Sequence, residues 1–239
     1  RDVKASRGLG DVYKRQLRNN RCLILKPMYS LLIDCSHKVN FIGLSNDMNN
    51  WIFKRNFHGQ PFENLIENLK SALDDSSIDH SEISHFYTPD SPGSTLGIRV
   101  TQMMIQGLLN TCCLSAKVTH YNGLYLSALS LLEDTVDIAK NNYLITENGR
   151  HSWNVLKIDT SLKMKPEIHQ YGLEDLSELH GYFYYIPQIK TWSDPKVDTN
   201  KLDYLPQRFL GSIKLISSLN IDTSLLSPTR NTYVKWNQG

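Results

Sequence analysis

The stretch Ser91 to Arg99 reads SPGSTLGIR and joins a short apolar run, Ile83 to Thr88, to a long one that begins near Thr95. A proline, two glycines and small hydroxyl residues in so short a span demand a tight corner, because glycine permits positive φ or a close backbone approach. A helix starting there leaves its first amides without intrahelical partners. The corner therefore suits either a capped strand-to-helix turn or an anion seat, built from Pro92, Gly93, Ser94, Gly97 and Arg99. Arg99 sharpens the choice, since a cation near the positive end of a helix calls for a carboxylate or a ligand.

The pattern around this corner is regular. Tyr29 to Asp34 (YSLLID), Val39 to Leu44 and Trp51 to Phe57 read as three strands, and the brief linkers between them force an antiparallel meander. Phe62, Leu65, Ile66, Leu69 and Leu73 then recur at helical spacing, which predicts a helix over Phe62 to Asp74. Ile83 to Thr88 is a fourth strand, and a helix from Thr95 to Leu114 follows the corner. In that helix Ile98, Val100, Met103, Met104, Ile105, Leu108 and Leu109 cover most of the circumference. One sheet face cannot absorb them all, so a second partner is implied: the chain's own second lobe, or another subunit.

The remainder supplies that second lobe. It reads as a helical stretch Tyr121 to Ala139, strands Asn142 to Thr146, Ser152 to Ile158 and Tyr182 to Ile186, and a closing helix Leu205 to Leu219. A length of 239 residues accommodates two such lobes, expected at 17–118 and 119–239. The first sixteen residues, RDVKASRGLGDVYKRQ, have no amphipathic period, and DVYKRQ resembles a translated sequencing adapter. They are set aside as non-native, with a native start expected between Leu17 and Met28.

Composition excludes several classes. A net charge of +2 gives no nucleic-acid footprint, so any RNA contact would come through a local patch or a partner. Cys22, Cys35, Cys112 and Cys113 form no C-x-x-C pair, which fits a reduced, cytoplasmic chain. No apolar run approaches the ~20 residues needed to cross a bilayer.

Strand, strand, strand, helix, strand, helix is the order of the ribonuclease H-like core that also underlies actin-like ATPases (the ASKHA group). The predicted class is a two-lobed α/β fold of this type, with mixed sheets flanked by helices. Ile33-Asp34-Cys35-Ser36, Pro92-Gly93-Ser94 with Gly97 and Arg99, and Pro228 with Arg230 resemble the motifs of the TsaB family, also called YeaZ. That family is the non-catalytic partner in bacterial tRNA threonylcarbamoyladenosine synthesis. Its usual motifs are I-D-T-[SA], G-P-G-S-F-T-G-[LV]-R and P-x-Y-x-R. This chain departs from them at Ser91, at Thr95-Leu96 and at Thr229.

The resemblance implies a subunit that pairs with a TsaD-like paralogue, or with itself, and works beside a TsaE-like ATPase. Contact with tRNA would occur only in the assembled complex. The interface would fall on Leu65, Leu69, Val100, Met103, Met104 and Leu108. The chain's own chemistry agrees. An active ATPase of this superfamily needs D-x-G-[ST] and a second D-x-G, and neither occurs; Asp34 and Ser36 stand in a degenerate phosphate loop. None of the eight histidines has the H-x-x-x-H spacing of a metal pair. No cofactor, metal or catalytic residue is expected. The alternative is a ribonuclease H-like nuclease with Asp34, Glu63 or Glu67, and Asp90 holding two metal ions.

Overall fold

The computed structural model describes residues 28–46, 48–134, 140–163 and 166–219. The segment set aside as non-native and the C-terminal motif residues Pro228, Thr229 and Arg230 lie outside these residues. So do Cys22 and the end of the stretch expected as helix through Ala139.

The first sheet is built from β1 (Tyr29–Asp34), β2 (Asn40–Ser45), β3 (Trp51–Phe57), β4 (Ile83–Ser91) and β5 (Lys117–Asn122), in the order β3-β2-β1-β4-β5. The meander pairs antiparallel, while β4 and β5 run parallel to β1. Helix α1 (Pro61–Ser76) connects β3 to β4, and α2 (Thr95–Thr111) connects β4 to β5. This is the ribonuclease H-like arrangement predicted from the element order.

The second sheet comprises β6 (Asn142–Gly149), β7 (Ser152–Lys157), β8 (Ile168–Gly172), β9 (Tyr182–Tyr185) and β10 (Thr199–Lys201). Its order, β10-β9-β6-β7-β8, repeats the first: an antiparallel meander β6-β7-β8, then β9 and β10 parallel to β6. The short α4 (Leu173–Glu178) takes the place of α1. No helix counterpart of α2 joins β9 to β10; a loop carrying Gln188 to Trp192 runs there instead. The chain is thus a two-lobed α/β fold with mixed sheets.

Strand alternation sorts the side chains into layers. Leu31, Ile33, Ile42 and Leu44 point to one face of the first sheet and meet Leu65, Leu69 and Leu73 of α1 and Ile105 of α2. Leu32, Phe41, Tyr87 and Tyr121 point the other way. They share a core with Leu124 to Leu129 of α3 (Gly123–Asp134), Ile213 and Ile216 of α5 (Leu210–Leu219), and Leu144 and Leu156 of the second sheet. Helices α3 and α5 are therefore sandwiched between the sheets, and one continuous core joins the lobes. Ile145, Trp153, Val155 and Phe183 pack Leu176 of α4 on the outer face.

Three expectations change here. The helical stretch expected from Tyr121 begins as strand β5, and the boundary expected at 118/119 falls inside that strand. A run of Lys117, Thr119 and His120 carries too little apolar periodicity to be read as a strand; parallel pairing with β4 makes it one. The closing helix begins at Leu210, after a separate 3-10 turn over Pro206–Arg208.

The glycines of the corner are steric requirements. A Cβ on Gly97 would stand 1.8 Å from the Cys35 carbonyl oxygen, and one on Gly93, whose φ is +148°, 2.5 Å from that of Ser36. The Ser94 amide donates to the Ser36 carbonyl at 2.7 Å. The corner is thus pressed onto the loop after β1. Gly97→Ala is expected to destabilise the fold by about 3 kcal/mol or more, since backbone must move on both sides. Urea unfolding measures this, and a loss below about 1 kcal/mol contradicts the close approach.

Candidate functional site

The loop after β1, expected as a degenerate phosphate loop, is closed by its own chain. Asp34, at the end of β1, is fully buried. Its Oδ1 accepts from the Ser36 amide at 2.9 Å and the Ser36 hydroxyl at 2.6 Å. Its Oδ2 accepts from the Tyr121 and Tyr204 hydroxyls, both at 2.7 Å. Four donors satisfy the carboxylate without a cation, as a buried charge requires. Burial, reinforced by Asp34, holds both tyrosine hydroxyls well above their ordinary pKa.

Tyr204 lies 170 positions from Asp34 in the chain, on the segment between β10 and α5. Its ring stacks on His37 with centroids 3.6 Å apart. Its hydroxyl also passes so close to Gly123 that a Cβ there would stand 2.4 Å away. His37 Nδ1 lies 2.8 Å from the Ser36 hydroxyl. Because that hydroxyl already donates to Asp34, it accepts from His37, which places the imidazole proton on Nδ1. Burial pushes the His37 pKa down from 6.5 to about 4, and pushes the neighbouring Cys35 thiol up to about 12. Cys35 is therefore no nucleophile.

The nuclease arrangement is not assembled. Asp34 is saturated, and Glu63 and Glu67 are exposed on α1. Asp90, one residue before the end of β4, accepts from the Ser91 hydroxyl at 2.9 Å. Among the described residues, no three His, Cys, Asp or Glu side chains are grouped to hold a metal.

The helices expected to form an interface divide. Leu65 and Leu69 are 1% and 4% exposed and face the first sheet, so they are core residues and not contact residues. Val100, Met104 and Leu108 are partly buried against the same core. Met103 is 75% exposed, and the same two packed helices also expose Leu96 (56%), Phe62 (59%) and Ile66 (70%). Of the residues expected at an interface, Met103 is the most exposed. Among the described residues, α3 and α5, and not α2, are sandwiched between the sheets.

At the corner, Ser94 caps α2, accepting from the Gly97 amide at 3.2 Å. Arg99 is exposed and has no carboxylate partner among the described residues. It lines a cavity of about 680 Å³ between the lobes, together with Pro92, Gly93, Ser94 and Asp90.

Fold and site together define a two-lobed α/β fold of the ribonuclease H-like, actin-like type, with the loop at Asp34 sealed and large apolar side chains exposed on its outer helix pair. No protein-family model matches the chain, and no curated protein matches it in sequence. Among solved structures it is similar to YeaZ from Pseudomonas aeruginosa, with a TM-score of 0.56 and 11% identity over 85% of this chain and 99% of that one. A second structure, of a protein described as similar to peptidase YeaZ from the same organism, matches with the same TM-score, identity and coverage. At this identity the likeness shows the fold.

Sequence reading missed Tyr121, Tyr204 and His37 as a unit. Only Asp34 carried a signal, the absent glycine of D-x-G.

Two outcomes test the sealed loop. Asp34→Asn places an amide donor against hydroxyl donors and is expected to cost at least ~2 kcal/mol in urea unfolding; unchanged stability contradicts the four-donor cage. His37 binds its proton less readily folded than unfolded. Its contribution is present above pH 6.5 and is lost as pH falls toward 4, about 3 kcal/mol in all. His37→Gln should flatten the decline in Tm between pH 6.5 and 4; an identical decline in both proteins contradicts the assignment.

Proposed function

We propose that this chain is a non-catalytic, TsaB-like subunit that pairs with a TsaD-like paralogue through the outer surface of α1 and α2. The observation that carries the reading is the exposed apolar quartet Phe62, Ile66, Leu96 and Met103 on adjacent helices. Large apolar side chains grouped on a surface mark a contact site, and a specific interface buries ~800 Å² per partner. The sealed Asp34 loop supports the reading from the other side, because it removes the position at which a phosphate-loop ATPase of this fold would work. The YeaZ-like fold is consistent with it.

In this role the chain supplies contact area and shape to its partner's transfer of a threonylcarbamoyl group to the adenosine beside the tRNA anticodon. A TsaE-like ATPase would act on the assembled pair, and tRNA would be met only there.

Co-expression with the TsaD-like paralogue of the same organism tests this. A stoichiometric complex is expected, and Met103→Glu or Ile66→Glu should weaken it at least about hundredfold, since each buries an unpaired charge. Both positions are exposed, so the variants should keep the parent's melting temperature. Pairing that survives both substitutions contradicts the surface. A homodimer broken by the same changes would keep the surface and replace the partner. The chain alone is expected to show no transferase activity; transfer without the paralogue overturns the non-catalytic role.

A further inference from the structure

The cavity between the lobes opens at the carboxyl ends of parallel strands from both sheets. Ser91 ends β4, Asn122 ends β5, Glu147 lies near the end of β6, and Gln188 and Lys190 follow β9. In α/β sheets this is the end at which ligands are held.

Its two sides carry complementary features. On the first-lobe side, Ser94 caps only the Gly97 amide of α2. The Thr95 and Leu96 amides, in the first helical turn, have no carbonyl within the helix to bond. Arg99 lines the same wall with no ion pair or hydrogen bond among the described residues. A helix N-terminus beside an unpaired guanidinium favours an oxyanion. Asp90 also lines this wall, with one oxygen accepting from the Ser91 hydroxyl.

On the second-lobe side stand two buried side chains with unmet acceptors. Asn154, on β7, and Glu147, on β6, are 4% and 3% exposed, and Asn154 Oδ1 and Glu147 Oε2 have no hydrogen-bond partner among the described residues. The other Glu147 oxygen is held by the Trp192 amide at 2.7 Å and by the amide and hydroxyl of Ser193 at 2.6 and 3.2 Å. Glu147 thereby fixes the loop that stands in for a second α2. That loop carries Lys190, whose ammonium lies 4.2 Å from the centre of the Trp192 ring. Both orphaned atoms are acceptors, so what completes them must bring O–H or N–H donors.

We propose that this cavity binds a small organic oxyanion, a phosphate or a carboxylate, that also carries hydroxyl or amino groups. The oxyanion sits at the N-terminus of α2 on Arg99, and the donors meet Asn154 and Glu147. The cavity volume lies within the range of small-molecule sites. The sealed Asp34 loop takes no part. Nor do the side chains of Phe62, Ile66, Leu96 and Met103, so this site and the pairing surface stand or fall separately.

Isothermal titration of the full chain tests it, with ribose 5-phosphate as the phosphate probe, L-serine as the carboxylate probe and ribose as the probe lacking an oxyanion. One of the first two is expected to saturate with Kd below about 1 mM, and which one does identifies the oxyanion. Arg99→Gln should weaken that binding about tenfold or more, and Asn154→Ala should weaken it as well. Arg99 is exposed, so its variant keeps the fold even if the Asn154 variant does not. The proposal is overturned if neither probe binds, if ribose binds equally well, or if Arg99→Gln binds like the parent.

Discussion

A single buried carboxylate organises both halves of the molecule. Asp34 collects the amide and hydroxyl of Ser36, the hydroxyl of Tyr121 at the end of β5, and the hydroxyl of Tyr204 from the segment that returns from the second lobe. Removing any one donor would leave part of a buried charge uncompensated, which a low-dielectric interior penalises heavily. The cage therefore fixes where the returning segment lies. The segment in turn places α5 against α3, between the two sheets. Trp51 reinforces the arrangement by donating from its indole to the Gln207 carbonyl at 2.8 Å.

The same cage closes the loop after β1. In place of a glycine, Ser36 follows Cys35 and turns its hydroxyl back to Asp34, while His37 stacks under Tyr204. The corner Pro92-Gly93-Ser94 and Gly97 press onto this loop from the other side, through contacts that no side chain could share. The loop is a joint between β1, the start of α2 and the second lobe. The apolar outer surface of α1 and α2 rests on that joint, because α2 begins at it.

The first lobe was largely legible in the sequence because its signals are local. YSLLID and WIFKRNF coincide with β1 and β3, and the helix predicted over Phe62 to Asp74 lies within α1. The second lobe was less so. Strands β8 and β10 are short and polar, and β5 is masked by Lys117 and His120; each is a strand because of its neighbour. The site shows the same divide. The corner glycines and Asp34 were legible as motif residues, whereas Tyr121 and Tyr204 reach Asp34 across 87 and 170 positions, a separation that no local pattern encodes. Leu65 and Leu69 show the limit of periodicity: it marks an apolar stripe but not whether sheet or partner covers it. Arg99 was legible as an anomaly, and the open cavity beside it turns the anomaly into a site.

Hydrogen exchange on the full chain, alone and mixed with the TsaD-like paralogue of the same organism, bears most directly on the central claim. The account predicts slowed exchange confined to Pro61–Ser76 and Thr95–Thr111, with the amides of Cys35 to His37 already protected in the free chain. Unchanged exchange in both helices, or a loop at Cys35 to His37 that is open until the partner arrives, would contradict it.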